Sequence, residues 1–383
     1  MNGRSTFAGV SFGVFALMAG GARAAALSTP SVSGPLAANP GPISLDAGPL
    51  GKIYIDGGVS GLAFWQDNHV PGDQTSRADL SNGQVFVQKT DGWLQFYVQA
   101  GAYSLPALGT PYLSAGNTIS DTYGIVPVAY AKLAPTDNFS IEAGKLPTLI
   151  GEESTFTFQN MDIERGLLWN QESAISRGLQ ANYGFGPVNV ALSVNDGFYS
   201  DRLNWLTGSI GYTIDSANSL TFVGGGNTGH TGYSSFATPL AQNNGEIFNL
   251  IYAWSSGPWT VSPYVQYASV PADTTIGITH GASSAGGALL AGYAINDEWK
   301  VAWRDEYISS SGNYLVGTPD LLYGPGSNAW SLTVTPTYQH GIFFARGEAS
   351  YVGVGHTTPG HVFGQHLDQT SQTRLMLETG VLF

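Results

Sequence analysis

Charged side chains make up only 11% of this 383-residue chain, so the places where they gather raise the first chemical question. Between Leu146 and Ala174 stand Glu152, Glu153, Asp162, Glu164 and Glu172, against one base, Arg165. Further on, Lys300, Arg304, Arg346 and Arg374 fall in segments where every second residue is apolar. Carboxylates and guanidinium groups without a nucleophile or histidine among them can attract, repel and filter ions where water is narrow. Other patterns invite enzyme or metal readings. Gly9-Val10-Ser11-Phe12-Gly13 has the form of a nucleophile elbow but lies in an apolar amino-terminal stretch. Gly224 to Gly229 spells G-x-G-x-x-G, yet Thr231, Gly232, Tyr233 and Pro239 follow where a dinucleotide site needs a helix. His356, His361 and His366 recur every five residues beside Asp368; converging imidazoles could hold zinc or nickel, and the plainer reading is a solvated loop. No Ser-His-Asp set stands out, because the histidines avoid strand-like segments. No catalytic residue, cofactor or metal is therefore assigned.

The elements that must position these charges begin after residue 24. Arg4, the apolar stretch from Phe7 to Met18 and Ala22-Arg23-Ala24 form a secretory signal with an A-x-A cleavage pattern. Removing Arg4 and Arg23 from the 14 basic residues leaves 12 against 27 acidic ones, a net charge of −15, which argues against a nucleic-acid partner. Cysteine is absent, so no disulfide contributes to stability. After the signal no apolar run approaches the roughly 18 to 20 residues of a spanning helix. With 51 Gly, 19 Tyr, 18 Phe and 9 Trp, and so little charge, the composition suits strands with one face to lipid and one to water.

Residues 25–50, rich in Ala, Pro, Gly and Ser, read as an extended leader with little to bury. From 51 to 383 the chain alternates at period two wherever it is apolar. Trp330, Leu332, Val334, Pro336 and Tyr338 interleave with Ser331, Thr333, Thr335, Thr337 and Gln339. Sixteen such strands are expected, from 52–64 to 373–383, with 82–89 and 122–132 among them. Tight turns, such as Thr90-Asp91-Gly92, Ser256-Gly257-Pro258 and His340-Gly341, take turns with long polar loops, so all short connections fall at one end. The pattern predicts an all-β, transmembrane antiparallel β-barrel with short periplasmic turns and long extracellular loops. Its last strand closes on Phe383, a terminal aromatic of the kind that signals to the barrel assembly machinery. Trp259, Trp299 and Trp330, near strand ends, are expected in interfacial girdles. Asp305 and Arg177 fall on the outward parity, where an interfacial position or a bulge is expected.

The stretch Gly144-Lys145-Leu146-Pro147, the element Gly151-Glu152-Glu153, Asn160, the block Arg165-Gly166-Leu167-Leu168-Trp169 and Ser176-Arg177-Gly178-Leu179 resemble motifs of the OmpL-like β-barrel porins, β-barrel porin family 2. Gly166 stands where Ser is more usual. The resemblance implies an outer-membrane pore and supplies no substrate.

A sixteen-strand ring with Gln, Ser, Thr and Asn inward predicts a water-filled lumen for small hydrophilic solutes and ions. The loop of 146–174 is expected to fold inward as an acidic constriction. Parity puts Lys300, Arg304, Arg346 and Arg374 on one arc, far across the ring from the strands that bear the loop, so a transverse field is expected. Outer-membrane lipid and lipopolysaccharide are the expected surroundings, and a homo-oligomer is compatible with them. A non-conducting structural or adhesive barrel and an outer-membrane hydrolase are the alternatives.

Overall fold

The computed structural model describes residues 36–39 and 41–383, so the signal expected over 1–24 lies outside the described residues. The chain forms β1 (Ile43–Asp46), β2 (Lys52–Gln66), β3 (Ser76–Lys89), β4 (Leu94–Tyr103), β5 (Val128–Thr136) and β6 (Phe139–Pro147). There follow β7 (Ile175–Phe185), β8 (Val188–Asn195), β9 (Trp205–Thr213), β10 (Asn218–Asn227), β11 (Glu246–Ser256) and β12 (Trp259–Val270). The last are β13 (Ala282–Ala294), β14 (Trp299–Ser310), β15 (Asn328–His340), β16 (Phe343–Gly355) and β17 (Ser371–Leu382). From β2 onward each strand pairs antiparallel with its chain neighbour, and β17 returns to β2, with Leu375 opposite Trp65 and Glu378 opposite Leu62. The sixteen strands β2 to β17 thus close a ring with no free edge. No helix among the described residues is long and apolar enough to cross a membrane.

The alternation seen in the sequence becomes two opposed surfaces. On β15, Trp330 and Leu332 keep 49% and 43% of their surface, while Thr333 and Thr335, one step away, keep none. Apolar side chains such as Leu179, Leu192, Ile210, Val265 and Leu377 face outward around the ring. Gln, Asn, Ser and Thr face in, which inverts the order of a soluble core. Aromatic pairs ring both ends of this apolar belt: Trp259 with Tyr293 at 4.6 Å and Trp299 with Tyr338 at 4.9 Å at the turn end, Trp330 with Tyr351 at 5.1 Å at the loop end.

Two strand starts lie six residues from expectation. β3 starts at Ser76, six residues early, because a bulge opposite Ser60 and Gly61 interrupts its alternation. β5 starts at Val128, because the residues before it belong to the loop carrying the short helix α1 (Ala115–Asp121). The leader is also more than a linker. Its β1 pairs with Lys52–Ile55 of β2, and Leu36 is 2% exposed inside the barrel. Arg177 is interfacial, reaching Asp196 at 2.7 Å and lying over the Tyr199 ring. Asp305 is exposed on the outer face in unbroken register between Leu289 and Leu332, so no bulge turns it away.

Candidate functional site

The connection between β6 and β7, residues 148–174, leaves the rim and crosses the lumen. Its 27 residues are enough to reach the far wall and return. Its apolar side chains go to two places. Ile150, Leu167 and Leu168 join a cluster with Ile247, Ile251, Tyr264 and Leu290 of β11–β13, and Phe156 and Phe158 join one with Phe86, Tyr97 and Tyr103 of β3 and β4. Asn160 holds the loop's own shape, accepting from the Ser154 N–H at 2.7 Å and donating to the Ser154 and Phe156 carbonyls. At the bulge Ser81 and Asn82 both point inward, and Asn82 donates to Thr157 at 2.6 Å.

The charged face of the loop meets β14–β17. Arg304 lies 2.5 Å from Glu153, 3.5 Å from Asp162 and 3.3 Å from Glu306. Arg346 binds Glu378 at 2.5 Å and donates to the Thr157 and Asn160 carbonyls at 2.9 and 3.0 Å. Arg374 pairs with Glu164, donates to Gln66 at 2.7 Å, and reaches the carbonyls of Ala107 and Thr110. All three guanidinium groups are buried. The wall carboxylates take backbone groups of the loop: Glu306 accepts from Leu167 and Leu168 at 2.9 and 3.1 Å, Glu348 from Ile163 and Glu164.

This arrangement corrects the expected transverse field. The loop's acids do not face the arginines across open water, because the loop spans the lumen and brings them into contact. Burying a guanidinium without a counter-charge is costly, whereas direct pairing with further hydrogen bonds offsets much of that cost. Glu152 sits elsewhere, accepting from Ser262 of β12 at 2.8 Å with partial exposure. Lys300 faces inward four residues nearer the turn end than Arg304. Arg165 is fully buried with its guanidinium 5.2 Å from the Trp169 ring and no hydrogen-bond acceptor; its backbone pairs with Pro106 and Leu108. Burial lowers its pKa to about 10. Glu172 is buried with neither oxygen hydrogen-bonded, and burial raises its pKa. His361 is held by Asp320 at 2.7 Å and His356 by Asn328 at 2.9 Å, and the described residues contain no group of three metal ligands.

Gly166 now has a physical reason. A Cβ there would sit 2.2 Å from a Glu306 carboxylate oxygen, so any larger residue requires either that carboxylate or the loop backbone to shift. Its N–H donates to Glu153 at 2.7 Å. Glu306, Glu348 and Glu378 are not among the constriction residues expected from sequence, although parity puts them on the same arc, where they could neutralise those arginines. The signal was present: each lies an even number of positions from an inward arginine on its own strand, Arg304, Arg346 and Arg374.

A closed ring of sixteen strands, apolar outside and polar within, with one long loop folded through its lumen, is the architecture of a porin-type transmembrane β-barrel. The chain belongs to the family described as "Putative beta-barrel porin-2, OmpL-like", which matches residues 52–383, and it is a protein of the bacterial outer membrane. No curated protein matches it in sequence. Among solved structures it is similar to OmpT of Vibrio cholerae, with a TM-score of 0.57, 11% identity, and coverage of 90% of this chain and 100% of that one. The outer membrane channel DcaP of Acinetobacter baumannii gives 0.58, 10%, 86% and 97%. Salmonella typhi OmpF in complex with daunomycin gives 0.57, 12%, 89% and 100%. The turn end of the barrel is therefore periplasmic and the loop end extracellular.

Proposed function

We propose that the barrel gives passive diffusion to small hydrophilic solutes and ions, and that residues 146–174 set its narrowest section. The observation that carries this reading is the loop's course through a polar-lined ring of sixteen strands, a ring size that leaves room for water unless something fills it. The cluster sets six carboxylates, those of Glu153, Asp162, Glu164, Glu306, Glu348 and Glu378, against the guanidinium groups of Arg304, Arg346 and Arg374, so an acidic excess remains beside the part-exposed Glu152, within a chain of net charge −15 once the signal is removed. A mild preference for cations follows. No catalytic chemistry is assigned. Lipid and lipopolysaccharide surround the outer belt, Phe383 presents the terminal aromatic to the assembly machinery, and self-association is compatible with the outer face.

A second reading, a barrel closed to flow, is favoured by one observation: Arg304, Arg346, Thr333 and Thr335 have no accessible surface at the height of the loop. Liposome swelling decides between them. Liposomes carrying the folded protein should swell in pentoses and hexoses and more slowly as the sugar grows; absence of swelling in every sugar favours the closed barrel.

A further inference from the structure

Below the loop a second segment enters the lumen. Leu36 shares a buried cluster with Phe86, Tyr97, Phe344 and Leu382, inward residues near the periplasmic ends of β3, β4, β16 and β17. Ala38 packs against the same cluster. The Ala37 N–H donates to Gln339 Oε1 at 2.7 Å, and Gln339 Nε2 donates back to the Ala37 carbonyl at 2.7 Å. One wall side chain thus satisfies both backbone groups of residue 37, as a neighbouring strand would. The other end of the segment is fixed too. β1 pairs with Lys52–Ile55, on the edge of β2 that β17 leaves free beyond Gly57.

We propose that Leu36–Asn39 is a periplasmic plug segment that sets the route by which solutes leave the barrel and adds a resistance in series with the loop, a role that rests on the channel reading. The segment covers the inner wall on the side of β15–β17 and β2–β4. Across the lumen, Glu142, Asn182, Asn189, Ser209 and Thr221 face inward on β6–β10 and keep partial exposure. Solutes are confined to this lane of amide and hydroxyl groups, in which the Glu142 carboxylate is paired with Lys132 at 3.4 Å, and it suits small neutral polar molecules. The segment Leu36-Ala37-Ala38-Asn39 carries no charge, so it narrows the exit without setting ion preference.

The test uses the mature chain with Leu36–Asn39 replaced by Gly-Ser-Gly-Ser, and separately Gln339→Ala. Single-channel conductance in KCl should rise by about 1.5-fold or more in both, with the reversal potential unchanged and faster entry of the sugars that the loop already admits. Conductance and rates of sugar entry equal to the parent in both variants would overturn the proposal. Seating is read independently of flow, because the chain has no cysteine and Leu36→Cys introduces the only thiol. A water-soluble maleimide should label it slowly in the folded barrel and at least ten-fold faster with Gln339→Ala added. Equal, fast labelling in both would show that the segment is not seated. A parent protein that labels slowly but never conducts overturns the channel reading, and the plug's role with it, while leaving the seating intact.

Discussion

Gly57 and Phe383 exchange two backbone hydrogen bonds of 2.9 Å, and the Phe383 ring lies where a side chain on residue 57 would project. A Cβ at 57 would meet the ring Cζ at 2.8 Å and the Gln84 carbonyl at 2.5 Å. The last residue of the chain thus completes the seam between the final strand and the first. Deleting Phe383 should lower the amount of barrel assembled in the outer membrane while leaving secretion intact, and Gly57→Val should do the same by displacing the ring. Heat-modifiable electrophoretic mobility measures the folded fraction. Normal levels in both variants would mean that this seam is incidental to assembly.

Arg346 and Glu378 form a pair with no accessible surface, so removing one partner strands the other. Arg346→Gln should destabilise the folded barrel by about 3–5 kcal/mol, the usual cost of a buried unpaired charge. Arg346→Gln with Glu378→Gln should recover a good part of that loss. Denaturant unfolding in micelles followed by tryptophan fluorescence provides the comparison, and a double variant no better than the single one would show that the guanidinium acts mainly through the Thr157 and Asn160 carbonyls.

Adding a side chain at residue 166 should harm this chain. Gly166→Ser places a Cβ against Glu306, so the carboxylate or the loop must shift, and either movement disturbs the hydrogen bonds from Leu167 and Leu168. A lower thermal midpoint and noisier channel currents are expected, and unchanged values for both would count against the fit described for this glycine.

Much of this was legible in the sequence where one rule governs many residues. Period-two alternation and the parity of short and long connections gave the strands and the inward direction of Arg304, Arg346 and Arg374, because a lipid-facing wall imposes the same constraint on every strand. What was not legible depends on single long-range encounters. The contact between Glu153 and Arg304 joins residues 151 positions apart, and no local spacing announces it. The bulge at Ser81 hid the start of β3 by breaking the alternation. Leu36 sat in a stretch whose composition reads as linker, and one apolar residue among Ala, Pro and Ser gave no period to follow.

Burial raises the carboxyls of Glu152 and Glu153 to about 7. Arg304 opposes this at Glu153, while Glu306 and Asp162 reinforce it; Ser262 opposes it at Glu152, and Glu153 reinforces it. Both groups therefore gain charge as pH rises through about 7, so cation preference should increase between about pH 6 and 8 and flatten in Glu152→Gln with Glu153→Gln. Stability runs the other way. A carboxyl with a folded value above its ordinary 4.5 holds its proton more tightly when folded, so its contribution is complete below 4.5 and lost as pH rises through about 7. Reversal potentials in a KCl gradient across this range check the first trend, and a flat profile in the parent protein would contradict it.

The central claim is that the loop of 146–174 is the constriction of a conducting barrel. Its most direct test is single-channel conductance in a planar bilayer, comparing the intact chain with one in which 150–170 are replaced by a short Gly-Ser linker. Discrete steps are predicted in both, larger by roughly two-fold or more without the loop, since a sixteen-strand ring then loses the segment that crosses its lumen. Equal step sizes, or an intact folded barrel that never opens, would contradict it.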